Sequence, residues 1–146
     1  MESMPSSWDL LLRIAAVALT AASPVGEILV AIPLGVALGL DPILSYMISL
    51  PSNILPAYII LRVNELIRAR FPKFYGYFSG KGSSFISRLG SRRLSIVLMV
   101  STPLAGVYAV SMATSLLGID RRLSLLCQLI GIALFGLAEV IVIIAI

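Results

Sequence analysis

Histidine is absent from this 146-residue sequence, and cysteine occurs once, at Cys127. Without histidine the chain cannot carry Ser–His or Cys–His catalysis, an imidazole metal site or a histidine proton switch. A single cysteine within an apolar run excludes a disulfide framework and a thiolate metal site. We therefore expect no metal, no cofactor and no enzymatic activity.

Charged residues are also scarce, at 12% of the chain, whereas soluble domains carry about 25%. Hydrophobic residues make up 59%, and the mean hydropathy is +1.04. A chain of this composition cannot cover a water-facing surface in the usual way. It is predicted to be an all-α integral membrane protein, a single multi-pass membrane domain over residues 1–146 in the cell (plasma) membrane.

The net charge of +4 is concentrated in the middle of the chain. Residues 64–93 hold seven basic side chains against one acidic side chain, Glu65. Because this segment lies between apolar runs and mixes basic with aromatic residues, it fits a cytoplasmic linker at the membrane interface better than a nucleic-acid-binding region. The predicted partners are membrane lipids, with anionic headgroups bound by Arg68, Arg70, Lys73 and Lys81.

Two stretches, 23–45 and 102–124, align without a gap at an offset of 79 residues. The alignment pairs Pro24 with Pro103, Gly39 with Gly118, and Asp41 with Asp120. Proline and glycine set backbone geometry, so these matches weigh more than the leucine matches around them. They predict an internal duplication, with chance alignment of two apolar segments as the alternative. The two aspartates, each two residues after a glycine, are predicted to cap the helices that follow.

Each repeat is predicted to be a re-entrant or broken helical hairpin followed by a transmembrane helix. Repeat one covers residues 8–63 (hairpin 8–40, span 42–63), and repeat two covers residues 94–146 (hairpin 94–119, span 123–146). Residues 94–119 could instead form one long span. If the linker is cytoplasmic, a hairpin there keeps the next basic residues inside, which makes the repeats inverted as in secondary transporters. Buried hairpins need cover, which favours a homo-oligomer, most simply a dimer.

Proline, glycine and small polar residues mark the expected helix breaks. The residues that should shape the backbone there are Pro24, Gly26, Pro33, Gly35, Pro103 and Gly106. Asn53 and Thr102 are candidate polar partners at the two breaks, although such side chains also serve as ordinary contacts between membrane helices.

Ionisable side chains inside the apolar runs are the candidates for transport or ion coupling. Glu27 follows the first break, and Glu139 lies in the last span. An acid at membrane depth is costly and usually functional. Either acid could instead lie at a membrane interface, and Arg13 could pair with one of them or extend to the interface.

The segment GEILVAIPLGVALGLDPILS (Gly26–Ser45), the basic linker and the STPLAG break (Ser101–Gly106) resemble the small multidrug export protein family. The resemblance covers residues 24–146, and its most specific part is Glu27, then Pro33-Leu34-Gly35. The second half has Pro103-Leu-Ala-Gly106 where family members often carry a longer Pro-Gly-Thr-Gly type of sequence. A more distant likeness is to the DedA-like membrane proteins.

The resemblance implies a small membrane exporter for a small molecule or ion that the sequence leaves undefined. Coupling to protons or another ion would act through Glu27 at the helix break. The alternative is a DedA-like lipid-handling protein of the scramblase type, or a structural membrane protein without solute transport. An intramembrane enzyme is the weakest interpretation, since it would need Glu27 and Glu139 in contact as a carboxylate pair.

Overall fold

A computed structural model describes residues 7–146, without the side chains of Phe78, Lys81, Ser83 and Phe85. Over that range the chain is helical and has no strand, which confirms the all-α prediction. The helices are α1 (Ser7–Ala22), α2 (Glu27–Ala37), α3 (Pro42–Arg70), α4 (Pro72–Leu89), α5 (Ser91–Ala105), α6 (Val107–Leu116) and α7 (Arg121–Ala145). Among the described residues, two helices, α3 and α7, are long and apolar enough to cross a membrane.

The long helices expose large apolar side chains instead of burying them. In α3, Met47 and Leu55 are 61% and 55% exposed, and in α7, Leu134 and Ile141 are 62% and 60% exposed. Many large apolar side chains are exposed on these helices, which is typical of faces that meet lipid or another protein. Together with the composition, it indicates a membrane protein.

The chain divides into two compact units. Unit 1 contains the described residues up to Asn53 together with Leu134–Ile146, and unit 2 is Ile54–Ala133. Each unit therefore holds one pair of short helices and a part of both α3 and α7.

In unit 1, α1 and α2 form a helical hairpin. Gly35 lies beside Val17, and Gly39 lies beside Arg13, so α2 runs back along α1. A Cβ at Gly35 would overlap the side chain of Ser45, so this glycine lets α2 lie directly against the start of α3. The apolar core between these helices consists of Val17, Ala21, Ala31 and Leu40, with Ile48 packed against it.

In unit 2, the second apolar segment is broken at Gly106, where φ is +86°. α5 ends at Ala105 and α6 begins at Val107. The backbone therefore favours two short helices over one long span across residues 94–119. Their shared core consists of Leu94, Leu98, Val110 and Cys127, with neighbouring side chains packed against it.

The linker is more ordered than its glycine content predicts. The polar end of α3 continues to Arg70, and α4 is one helix across Gly76, Gly80 and Gly82. A Cβ at Gly82 would lie 2.9 Å from the carbonyl oxygen of Leu117, so this glycine lets α4 pack on the turn after α6. Gly82 therefore serves close packing, whereas a Cβ at Gly76 or Gly80 would meet no atom within 4 Å. Likewise, α3 continues through Pro51 and Pro56 without a second break.

The turns after α2 and α6 have the same geometry at the 79-residue offset. Gly39 and Gly118 both adopt a left-handed conformation, with φ of +81° and +75°. Each turn closes through matched backbone hydrogen bonds, 2.9 Å long in both copies, from Leu40 N–H to the Gly35 carbonyl and from Ile119 N–H to the Thr114 carbonyl. This 6→1 bond is the Schellman arrangement that ends a helix at glycine.

Both predicted aspartate caps are confirmed. Asp41 Oδ1 accepts hydrogen bonds from the backbone N–H groups of Ile43 and Leu44, at 2.8 and 3.2 Å. Asp120 Oδ1 accepts one from Leu123 N–H at 2.9 Å. Each aspartate thus satisfies free N–H groups at the start of the long helix that follows it.

Candidate functional site

The break in the first hairpin places an acidic residue on strained backbone. Glu27 is the first residue of α2, is partly buried, and has a φ of +47°, in the left-handed region that non-glycine residues seldom adopt. The residue before it, Gly26, is buried, and a Cβ there would lie 2.6 Å from Thr20 Cγ2. Backbone strain of this type costs about 1–3 kcal/mol and clusters at functional sites.

Asn53 links α3 to the end of α1 at this break. Its Nδ2 donates a hydrogen bond of 3.0 Å to the carbonyl of Ala21, and its side chain is fully buried. The structure therefore places Asn53 at the first break, where the sequence predicted a polar partner.

Two buried oxygen atoms beside this hydrogen bond have no hydrogen-bond partner among the described residues. They are Asn53 Oδ1 and Ser49 Oγ, which lie one turn apart on the same face of α3. Ser45, one further turn back, is also fully buried, and its hydroxyl donates to the Asp41 carbonyl at 3.0 Å. A buried acceptor without a donor costs about 1–3 kcal/mol, so these two atoms are the least satisfied part of this polar stripe.

The second break is arranged differently. Thr102 is fully buried, but its hydroxyl donates to the Leu98 carbonyl of its own helix at 2.7 Å. Pro103 has no N–H, so the Met99 carbonyl loses its helical donor. That carbonyl lies against Gly131 of α7, where there is no side chain to obstruct it. Close backbone packing at Gly131 thus accommodates the second break.

A chain of buried polar side chains, not predicted from the sequence, runs between α6 and α7 in unit 2. Ser111 donates to Gln128 Oε1 at 3.0 Å, Gln128 Nε2 donates to Ser124 Oγ at 3.0 Å, and Ser124 donates to Thr114 Oγ1 at 2.8 Å. The signal available was a glutamine inside an apolar span, four residues after a serine.

The corresponding positions in unit 1 hold different side chains. At the 79-residue offset, Ser124 corresponds to Ser45, and Gln128 corresponds to Ser49. Thr114 corresponds to Gly35, which gives Ser45 no hydroxyl to bond. Among the described residues, the side chains on this face are hydrogen-bonded to one another in unit 2, whereas Ser49 Oγ in unit 1 has no hydrogen-bond partner.

Glu139 lies at a cavity of about 410 Å³ in unit 1. Its Oε2 atom is buried and has no hydrogen-bond partner within the part of the chain that the structure describes. The other lining residues are Leu29 and Pro33 of α2 and Phe135, Ala138, Val142 and Ile143 of α7. Among the described residues that line this cavity Glu27 does not appear, so the two acids are not brought together there.

The end of α7 is held close to the rest of unit 1 beside this cavity. A Cβ at Gly136 would lie 2.7 Å from Ile28 Cδ1 and 2.9 Å from Tyr46 Cε2. Gly136 therefore allows α7 to approach α2 and α3 closely, and the approach positions Glu139 one turn further along α7.

Arg13 lies beside Gly39, which follows the last turn of α2, whereas Glu27 begins that helix. The 12 residues from Glu27 to Gly39 correspond to about 18 Å along a helix axis. Arg13 is partly buried at the end of the hairpin remote from its break.

The basic residues predicted to bind lipid headgroups lie at the end of α3 and the start of α4. Arg68, Arg70 and Lys73 are exposed, and the side chain of Lys81 lies outside the described part of the structure. Glu65 Oε2 lies 3.2 Å from the guanidinium groups of both Arg62 and Arg121. The contact with Arg121 is an ion pair without hydrogen-bond alignment, since that Nη1 atom has no hydrogen-bond partner. No metal-binding cluster of acidic or cysteine residues occurs among residues 7–146.

Comparison with known proteins gives one match. No curated protein and no solved structure matched the chain. A family model matched residues 27–138, from the strained glutamate through both hairpin turns and both aspartate caps to the residue before Glu139. Since the match covers most of the sequence, the chain belongs to the "Putative small multi-drug export protein" family.

Proposed function

We propose that this membrane protein is an ion-coupled exporter of small molecules, with Glu27 as the coupling residue. The observation that carries the proposal is the first hairpin break, which holds this acid on left-handed backbone. Asn53, with a buried oxygen free of any donor, bonds the α1 terminus at the same break. Family membership supports the export function.

The two hairpins are proposed to be re-entrant, because their second helices are too short to cross a bilayer. α2 has 11 residues and α6 has 10, about 16 and 15 Å at 1.5 Å per residue. The hydrocarbon core is about 30 Å thick, so each helix reaches only about halfway. In contrast, α3 and α7 have 29 and 25 residues, about 44 and 38 Å, enough to span.

The repeats are proposed to be inverted, with the basic linker in the cytoplasm. The matched turns at the 79-residue offset support duplication. The exposed basic residues Arg68, Arg70 and Lys73 support a cytoplasmic, headgroup-binding end of α3 and α4. Inversion would bring the two breaks toward the midplane from opposite leaflets, where transporters of this type bind substrate and ion. A homodimer would cover the polar hairpin backbone.

The test uses proteoliposomes with an imposed pH or Na⁺ gradient and a panel of fluorescent amphiphiles that are cationic, neutral or anionic. The parent protein should move at least one dye in response to a gradient. Glu27→Gln should abolish the gradient-driven part of that flux, because glutamine has the same shape but no exchangeable charge. Glu65→Gln is the matched control, since its carboxylate is half exposed and outside the hairpins.

Each outcome of this test is decisive. Absence of gradient-driven flux for every dye with the parent protein, or lipid scrambling in its place, would contradict export. Unchanged flux in Glu27→Gln would contradict the coupling role of Glu27. A circular dichroism spectrum equal to that of the parent protein would show that the variant remains folded.

A further inference from the structure

Among the described residues that line the cavity at Glu139, this glutamate is the one polar side chain. Glu139 Oε2 is buried without a hydrogen-bond partner. Pro33 has no N–H, so the carbonyl of Leu29, four residues earlier, lacks its helical donor, and both residues line the cavity. The remaining lining side chains, from Phe135 to Ile143, are apolar. Among the described lining residues, Glu139 therefore offers the one ionisable group, and no other side chain can donate a hydrogen bond.

Three ligand classes fit this lining poorly. An anion would be repelled by the carboxylate. A small metal cation would have to exchange its hydration shell for about six oxygen ligands, which apolar walls cannot supply. A neutral apolar molecule would fill the space but leave the buried Oε2 atom of Glu139 without a hydrogen-bond partner, which is costly.

We propose that this cavity binds a lipophilic organic cation, with Glu139 as its counter-ion and the apolar walls around its hydrocarbon surface. The proposal rests on the export function proposed above and names its substrate class. The volume of about 410 Å³ lies within the usual range for small-molecule sites, about 300–1,000 Å³. Phe135 adds an aromatic face, which attracts cations. Glu139 lies just beyond the residues that match the family model, so its proposed role as a counter-ion rests on the cavity and not on the family match.

The experiment measures binding to the detergent-solubilised full chain by equilibrium dialysis, with two probes of similar shape. Methyltriphenylphosphonium is a cation, and triphenylphosphine oxide is a neutral molecule with the same three rings. The parent protein should bind the cation at least tenfold more tightly than the neutral probe. Glu139→Gln should weaken cation binding by at least tenfold and leave the neutral probe nearly unchanged, because it removes only the charge.

Two further variants keep the result interpretable. Glu65→Gln should bind both probes as the parent protein does, which shows that the effect is local to the cavity. Ala138→Phe should reduce binding of both probes by filling the cavity, and it tests the site if Glu139→Gln does not fold. Equal affinities of the parent protein for the two probes would overturn the proposal, as would unchanged binding in Glu139→Gln or Ala138→Phe. This experiment measures binding and not transport. The cation-binding proposal can therefore fail while the export proposal stands, and the export proposal can fail while the cation-binding proposal stands.

Discussion

Replacing glycine by alanine is predicted to destabilise the protein at Gly131 and to stabilise it at Gly76. In unit 2, a Cβ at Gly131 would overlap the carbonyl oxygen of Met99 and lie 3.0 Å from its carbonyl carbon. A Cβ at Gly76, within α4, would meet no atom within 4 Å. Both residues lie inside helices, so the gain in helix propensity from Gly→Ala is the same, about 1 kcal/mol.

The surroundings of each glycine decide whether the substitution raises or lowers the free energy of unfolding. At Gly76 nothing opposes the propensity gain, so Gly76→Ala should raise the free energy of unfolding by about 1 kcal/mol. At Gly131 the obstacle is helix backbone, which cannot rotate away as a side chain does. Overpacking of this kind costs about 3 kcal/mol at the upper end of its usual range. After the propensity gain, Gly131→Ala should lower the free energy of unfolding by about 2 kcal/mol.

The assay is equilibrium unfolding in mixed micelles with increasing SDS mole fraction, followed by circular dichroism. The two variants should differ by about 3 kcal/mol in unfolding free energy, with the parent protein between them. A Gly131→Ala variant as stable as the parent protein would show that α7 does not pack on the Met99 carbonyl. A destabilised Gly76→Ala variant would show that α4 has a neighbour at that face.

The same unfolding assay tests two other features. Asn53→Ala should destabilise the protein by about 1–3 kcal/mol, because the buried carbonyl of Ala21 loses its donor; an effect no larger than that of Ser52→Ala would contradict the link between α3 and the first break. Asp41→Ala and Asp120→Ala should each cost about 1 kcal/mol, the usual value of a helix cap. If only one of them destabilises the protein, the two turns are not equivalent in energy despite their matched hydrogen bonds.

The hairpin turns could be predicted from sequence because their signals are local. A glycine that adopts positive φ and an aspartate two residues later act within one turn of backbone, so the residues at 39–41 and 118–120 carry the geometry with them. The break at Gly106 was predictable for the same reason. The role of the linker glycines could not be predicted in this way, because a glycine in a helix and a glycine in a flexible loop look alike until the neighbouring segment is known.

The polar contacts could not be predicted with the same success because they join residues far apart in the chain. Asn53 was identified as a break residue, but its bond to Ala21 spans 32 positions. The chain from Ser111 to Gln128 was missed, since each member alone is an ordinary small polar residue in an apolar helix. The cavity at Glu139 forms where α2 packs near α7, and the periodicity of neither helix predicts that contact.

The sequence by itself determined the helical class, the apolar character, the places where helices end and the identity of the acids, because composition and backbone preference act within a few residues. Only the tertiary structure decided which polar groups are satisfied and which are left open. It pairs Ser124 with Thr114 but sets Ser45 against Gly35, and it leaves Glu139 without a hydrogen-bond donor to Oε2. Whether a buried oxygen finds a donor depends on the side chain that packing brings opposite to it, and packing is a property of the whole fold.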